Sequence, residues 1–556
     1  MIFSGADIIV KTLIEQGADT VFGYPGSQIL DVYDSLYKYQ NEIKHILTAH
    51  EQGAVHAADG YSRSTGRVGV VISTSGPGAT NLVTGIATAH LDSIPLVAIC
   101  GNVATTQIGT DSFQEIDITG ITLPITKHNY LVGSVEDLAD TIREAFRLAK
   151  SGRPGPILID VPKDVQQAMC EYIPAEPVAP YDRLNCKSID EAVEIINNSN
   201  RPYIYFGGGA VSSGAAEEIT ALADKIDAPI GCSLMGISAI PTSHPRFLGM
   251  QGMHGHYASS VALDHADCII SCGVRFNDRV TGNSKKFAQG ARIIHIDVDA
   301  AEFSKTVTPS CTLKGDVKLT LQRLIAAVSE KTREMWTEEI NIFKQTGLDN
   351  QDKRDGMTPK NILTLLNSYL SPDTPVATDV GQHQMWSAQT LSFSSPRCFI
   401  TSGGLGTMGF GLGAAIGAQI GTKKRTVLVT GDGSFGMCLQ ELATAVTNKT
   451  PIVILIMNNG VLGMVRQWQS LFFDKHYSHT ELDRKTDFVA LSKSFGADGI
   501  AVNTLDELKS AFDTAFTING PFIIDCHIDK DEFVTPMLPP GGSVNDLITK
   551  VGEDDE

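Results

Sequence analysis

Three long stretches of the chain alternate short, continuously apolar runs with segments of helical periodicity, and two polar linkers separate them. In residues 1–165 the runs DTVF, IKHILTA, RVGVVIST, IPLVAIC and GPILIDVP lack any apolar–polar alternation, which predicts strands buried on both faces of a parallel sheet. The opening MIFSGADIIVKTLIEQGADTVF reads as an amphipathic helix leading into a strand. A second block, 188–330, includes PYIYFGGGAV, DCIISCGVRF and RIIHIDVD; a third, 358–530, includes RTVLVT and PIVILIM. EYIPAEPVAPYDRLNCKS separates the first two, and KTREMWTEEINIFKQTGLDNQDKRDGMTPK reads as a linking helix and loop before the third. Residues 531–556, with MLPPGGS, form a tail. The pattern predicts an α/β chain of three doubly wound parallel-sheet domains followed by a C-terminal tail.

Composition narrows the class without naming a chemistry. With 556 residues, 42% hydrophobic and 19% charged, the chain is an ordinary globular one with ample core. A net charge of -19 and the lack of a basic stretch argue against nucleic-acid binding. The ten cysteines are scattered with no CxxC pair, which predicts reduced, buried thiols in a cytoplasmic protein and no zinc site. There is no run of 18 apolar residues and no secretory leader, so neither a membrane span nor export is expected.

Candidate chemistry concentrates between Arg425 and Asn459. RTVLVT reads as a strand, GDG as its exit turn, CLQELATAVTNK as a helix and PIVILIM as a second strand, which together make a βαβ unit. A right-handed crossover lays the strands parallel, so Asp432 and Asn459 reach the same carboxyl edge. A carboxylate, an amide oxygen and a backbone carbonyl, for which Val461 is the candidate, are hard ligands suited to Mg²⁺ holding a diphosphate. Gly431 and Gly433 are expected to let the backbone turn tightly and approach phosphates. The spacing resembles the GDG…NN signature of thiamine-diphosphate enzymes. In the first block, Glu51 follows IKHILTA beside the turns Gly23–Ser27 and Ser75–Gly78. It is a candidate general base, or a plain cap on the following helix. In the second block, Gly207, Gly208 and Gly209 resemble a dinucleotide turn. Asp297, however, comes 88 positions after Gly209 instead of the roughly 20 of the usual fingerprint, so pattern alone gives no ligand.

Glu51 in AHEQGAVHAADGYSRSTG, followed by TSGPGATN, GTDSFQE, SGRPGPILIDVPKDV, LGMQGMHG, VRFNDRVTG, DVGQHQMW, GGLGTMGFG and NNGVLGMVRQWQS, resembles the catalytic large subunit of the acetohydroxyacid synthase (acetolactate synthase) family, in order and over nearly the whole chain. The resemblance implies decarboxylation of pyruvate on thiamine diphosphate. The hydroxyethyl unit is then ligated to pyruvate or 2-ketobutyrate, in branched-chain amino-acid biosynthesis. Glu51 would hydrogen-bond N1′ of the aminopyrimidine, and Met408 would wedge the cofactor into its bent shape. Gln382, His383, Gly406, Ser434 and Met437 would surround the diphosphate and pyrimidine, with Pro25 and Met464 completing the pocket. Phe113 and Gln114 would face the thiazolium from the glutamate side. Arg279 would lie near the acceptor carboxylate, Lys163 at the channel mouth, and Trp468 on the acceptor pocket; plainer readings are a surface ion pair for Arg279 and core packing for Trp468. The resemblance also implies FAD, held by Arg153, Gly207, Gly208, Gly209, Arg275, Asp297 and Asp316, without redox turnover. Glu51 and Asp432 belong to different blocks, so the family's solution is a homodimer or homotetramer with shared sites, and a separate regulatory small subunit is expected.

The chain departs from the usual family pattern at Ser27-Gln28, at Asn277 in RFNDR and at Gly413. A catabolic acetolactate synthase and the FAD-dependent pyruvate oxidases are the neighbouring alternatives, and RFNDR, GMQGMHG and MLPPGG resemble the biosynthetic branch.

Overall fold

The computed structural model describes residues 1–180 and 186–550; residues 181–185 of the predicted linker and 551–556 of the tail lie outside the described residues. Three six-stranded sheets follow one another along the chain, with every pair of neighbouring strands in them parallel. In the first, the order is Lys44–Leu47, Thr20–Gly23, Gly69–Ser73, Leu96–Asn102, Pro156–Pro162, His128–Leu131. The second runs Phe247–Met250, Ile230–Cys232, Pro202–Phe206, Cys268–Cys272, Arg292–Asp297, Cys311–Lys314. The third runs Phe399–Ile400, Val376–Thr378, Thr426–Gly431, Ile452–Asn458, Phe522–His527, Asp498–Val502.

Each sheet winds outward from an inner strand and then crosses over, which leaves a crevice at the carboxyl ends where the winding reverses. Those three crevices fall beside Tyr24 and Thr74, beside Gly207 and Gly273, and beside Asp379 and Asp432. Asp432 and the Gly207–Gly209 turn sit at switch points, whereas Glu51 and Asn459 follow the neighbouring strands Lys44–Leu47 and Ile452–Asn458. The strands read as expected because they are buried on both faces: Ile452–Ile456 and Leu96–Ile99 are wholly inaccessible.

The first and third sheets are joined by helices Glu51–Thr65 and Gly411–Thr422, which meet backbone to backbone. A Cβ on Gly417 would overlap the Ala57 carbonyl, and one on Gly60 the Ala414 carbonyl. Gly413 follows the same logic, since its Cβ would lie 2.9 Å from the Gly53 carbonyl oxygen.

Three details differ from expectation. The N-terminus begins as a strand, Ile2–Ser4, paired antiparallel with Met169–Glu171, and the helix starts only at Gly5 with Ser4 as its cap. GDG is not a turn, because a helix begins at Asp432, runs to Cys438, and is broken by the 3-10 turn Leu439–Glu441 before Leu442–Thr447. The glycines there are not conformationally demanding either: Gly431 has φ -99°. They make room, since a Cβ on Gly431 would lie 3.0 Å from His383 Nδ1 and one on Gly433 2.9 Å from Leu462 Cδ2. The linking segment forms helix Glu334–Asp349, which buries Trp336 against the central domain, with its indole N–H donating to the Pro202 carbonyl (3.0 Å). From residue 531 to 550 the tail bridges domains: Val534 N–H donates to Gln467 Oε1 and Leu538 N–H to the Met253 carbonyl. All ten cysteines are free thiols.

Candidate functional site

The GDG unit places its ligand candidates side by side. Thr426–Gly431 pairs with Ile452–Asn458 in register Gly431 to Met457, so Asp432 and Asn459 leave adjacent strand ends. Asp432 is buried, and that burial, with the Asp525 charge nearby, pushes its carboxyl up to about 6 despite hydrogen bonds from backbone N–H groups. Such a carboxylate lacks a compensating cation, and a bound divalent ion fits it. Asn459 Oδ1 accepts from Val461 N–H (3.2 Å), which folds the loop back over the strand end. Gly460 and Leu462 then pair with Leu482 and Thr480, fixing where Val461 sits. Among the described residues no trio of His, Cys, Asp or Glu forms a metal cage. The Asp432–Asn459–Val461 set is of mixed oxygen chemistry and suits Mg²⁺.

Around this unit, His383 is fully enclosed, its Nε2 has no partner, and burial lowers its pKa to about 3, so it is a neutral ring with a polar atom free for a ligand. Ser434 donates to the Val380 carbonyl (2.8 Å), tying the GDG helix to the Val380–Gly381 turn. Gln382 turns its amide away into the protein, donating to the Glu532 carbonyl (2.7 Å) and to Gln467 Oε1 (3.1 Å). Any contact of Gln382 with a diphosphate would therefore be made by its backbone. Met437 is 55% exposed.

The loop Ser402–Gly411, which carries Gly406 and Met408, is fastened at both ends by buried carboxylates that the sequence did not single out. Asp92 accepts from Gly404 N–H (2.7 Å) and Gly403 N–H (3.1 Å), while Arg63 binds Asp92 (3.0 Å), Asp59 and the Thr401 carbonyl. At the other end, Asp379 accepts from Gly409 N–H (2.8 Å) and Gly411 N–H (3.1 Å). Asp379 opens the quoted DVGQHQMW, so its motif was a signal; Asp92 had none.

Met408 and Gly406 line a cavity of about 1940 Å³, as do Met464, Trp468 and Arg279. Trp468 is half-buried and not in the core: its ring meets Phe472 edge-on at 5.5 Å, and the Arg279 guanidinium lies 5.8 Å from its centroid. Arg279 also pairs loosely with Asp278 (3.9 Å), so both of its readings have a basis. The same cavity extends along the central domain past Arg153, Gly208, Gly209, Arg275, Asp297 and Asp316. Gly207 and Gly209 do not offer free amides, since they donate to the Cys272 and Gly273 carbonyls. A Cβ on Gly209 would lie 2.6 Å from the Gly273 Cα, so these glycines form a closely packed cavity wall, not a phosphate nest. Arg153 is held by Glu302 (2.8 Å), Asp316 caps helix Val317–Ala327, and burial with the neighbouring Arg153 depresses the Arg275 pKa. Burial pushes Asp297 up to about 6. Gln251 Oε1 and His254 Nδ1, buried and unpartnered on this wall, are further polar atoms available to a ligand.

The glutamate group gathers elsewhere. Glu51 is the first residue of helix Glu51–Thr65; Asn81 donates to its Oε2 (2.8 Å), and among the described residues no hydrogen bond engages Oε1. Phe113 is 81% exposed, Gln114 accepts from Ser27 Oγ (3.3 Å), and Lys163 donates to the Ser27 carbonyl (2.7 Å) beside the exposed Pro25. None of these lines the cavity. One chain thus presents two separate half-sites.

Comparison with known proteins matches the chain domain by domain. The model described as the thiamine pyrophosphate enzyme N-terminal TPP binding domain matches residues 3–121, the central domain 189–324, and the C-terminal TPP binding domain 379–526. The acetolactate synthase large subunit of Buchnera aphidicola is 43% identical, with 98% of each chain covered. The probable acetolactate synthase large subunit of Methanocaldococcus jannaschii is 44% identical over 98% of this chain and 95% of its own. The acetolactate synthase isozyme 2 large subunit of Escherichia coli is 42% identical over 99% and 100%. With three matched domains in order and such identity from end to end, the chain belongs to the acetolactate synthase large-subunit family of thiamine pyrophosphate enzymes.

Proposed function

We propose that this chain is the catalytic subunit of an acetolactate synthase. It decarboxylates pyruvate on thiamine diphosphate and joins the two-carbon unit to a second 2-ketoacid: pyruvate gives 2-acetolactate, and 2-ketobutyrate gives 2-aceto-2-hydroxybutyrate. The observation that carries the reading is the loop bearing Met408, fastened by Asp92 and Asp379 on the wall of a cavity it shares with Trp468 and Arg279. Thiamine diphosphate, when bound, supplies the electron sink that lets the bond to the carboxylate break. Asp432, Asn459 and the Val461 carbonyl hold Mg²⁺ and through it the diphosphate, with His383, Gly431, Gly433 and Ser434 around them. Glu51 holds and exchanges a proton at its free Oε1. Arg279 receives the acceptor carboxylate.

FAD occupies the central arm, with Arg275 and Arg153 supplying positive charge. What supports it is size, since about 1940 Å³ exceeds the roughly 300–1,000 Å³ of an ordinary single-ligand site. The flavin has no redox role, because joining two ketoacids with loss of CO₂ transfers no net electrons. What supports a homodimer or homotetramer is the split between half-sites: a second copy that covers Phe113 and Pro25 brings its cavity to Glu51. A separate regulatory small subunit follows the naming of the relatives as large subunits. No described helix is long and apolar enough to cross a membrane, and we assign the enzyme to the cytoplasm.

The test supplies the purified chain with pyruvate, with and without 2-ketobutyrate, plus thiamine diphosphate, Mg²⁺ and FAD. Products are identified by mass, and oxygen uptake is followed. A yellow protein that forms both acetohydroxyacids without consuming oxygen is the expected result. Oxygen-coupled acetate formation would point to a pyruvate oxidase, and a colourless, fully active enzyme to the catabolic branch. Trp468→Leu should keep acetolactate formation while lowering the preference for 2-ketobutyrate. One methylene against a fitted apolar wall is worth roughly 1 to 3 kcal/mol, or about 10- to 200-fold. An unchanged product ratio in a two-substrate competition would remove Trp468 as the discriminator.

A further inference from the structure

Glu441 is a buried carboxylate for which the reading above has no use. It ends the 3-10 turn Leu439–Glu441 directly after the GDG helix, and it reaches from the third sheet's domain into the first. Its Oε2 accepts from Thr444 Oγ1 (2.7 Å) and from the backbone N–H of Ala49 (3.2 Å), two residues ahead of Glu51. The His50 N–H also favours its charged form. The other oxygen, Oε1, is buried without a partner against Gly53, two residues beyond Glu51. A Cβ on Gly53 would overlap this carboxylate, which explains why the helix carrying Glu51 has glycine in its first turn. An enclosed carboxylate with a spare oxygen is costly to keep. Its position at the positive end of a 15-residue helix offsets part of that cost.

We propose that Glu441 is a positioning residue for Glu51: it clamps the strand exit at Ala49 and His50 and so fixes where the first residue of the helix is presented. The inference rests on the reading of Glu51 as the proton-exchanging group. One short rigid unit would then carry the metal ligand Asp432 at its start and the clamp on Glu51 at its end. It couples two half-sites that, in a shared-site homodimer, serve different cofactors.

The test uses the full-length enzyme with Glu441→Ala, Glu441→Gln and Gly53→Ala, and Glu51→Gln in parallel. Loosening a catalytic group by a fraction of an ångström to 1 Å costs up to roughly 100-fold, so Glu441→Ala should lower kcat by about 10- to 100-fold with KM for pyruvate nearly unchanged. Glu441→Gln, whose amide oxygen still accepts from Ala49 N–H, should recover most of it, and Gly53→Ala should behave like Glu441→Ala. Independently of activity, amide exchange in peptides covering residues 44–53 of the cofactor-free chain should quicken in Glu441→Ala and not in Glu441→Gln. Unchanged exchange together with wild-type kcat in Glu441→Ala overturns the proposal; if that variant does not fold, the same two readouts on Gly53→Ala decide it. If Glu51→Gln itself retains turnover, the reading of Glu51 fails, and the exchange measurement alone still decides whether Glu441 holds the segment.

Discussion

Glu51→Gln should yield a chain that folds and binds its cofactors normally yet carboligates roughly 10²- to 10⁴-fold more slowly, the range that a positioned acid–base group contributes. The amide keeps the shape of the carboxylate. Asn81 Nδ2, 2.8 Å from Oε2, can still donate to an amide oxygen, so the first turn of helix Glu51–Thr65 has no reason to move. What disappears is the exchangeable proton at Oε1, the oxygen that faces the turn at Gly78, where an added Cβ would lie 3.3 Å away. The alternative sequence reading of Glu51 as a helix cap makes the opposite prediction. The cap is in fact His50, whose Nδ1 accepts from Gln52 N–H (3.0 Å), so as a cap Glu51 would be dispensable. Acetolactate formed per bound thiamine diphosphate, measured by mass, separates the two. Near-normal turnover would end the proton-exchange role.

The sheets were legible because their strands are buried on both faces and so carry unbroken apolar runs. His128–Leu131 escaped notice for the converse reason: HNYL is a half-exposed edge strand whose polar residues resemble a loop. Strands as short as Ile230–Cys232 leave too few residues for any period to register. In the GDG unit the two strands and the placement of Asp432 beside Asn459 were readable and the local geometry was not. Gly431 and Gly433 suggest a turn, but the constraint on them is steric, set by His383 and Leu462 arriving from elsewhere in the chain. The same limit hid Asp92 and Glu441. Asp92 meets Gly404 across 312 residues and Glu441 meets Ala49 across 392, and neither neighbourhood carries a periodic or compositional trace of that contact. Trp468 is intermediate: its helical setting suited core and pocket equally, and only the cavity wall distinguishes them.

Asp432→Ala should abolish Mg²⁺-dependent retention of thiamine diphosphate while leaving the fold intact. Asp432 supplies the negative charge of the proposed ligand set, since Asn459 and the Val461 carbonyl are neutral. Removing one partner of a buried ion pair costs about 3 to 5 kcal/mol. At 1.4 kcal/mol per tenfold, that weakens cofactor affinity at saturating Mg²⁺ by at least about 100-fold. Asp432→Asn, which keeps the oxygen and loses the charge, should fall between. Asp525 is the control, because its carboxylate is already engaged by Asn458 Nδ2 (2.9 Å) and His527 (3.3 Å). The stability of the cofactor-free chain supplies a second, independent sign. Burial raises the Asp432 carboxyl to about 6 when no cation is present, so above that pH the folded chain holds a charge it disfavours. Alanine relieves that cost, and the melting temperature without ligands should hold or rise. The wild-type chain should instead gain stability as Mg²⁺ and thiamine diphosphate are added, in proportion to the logarithm of ligand over Kd, and the mutant should not. An unchanged cofactor affinity in Asp432→Ala would mean that the metal is held elsewhere. A fall in the ligand-free melting temperature would mean that Asp432 serves the fold before it serves the site.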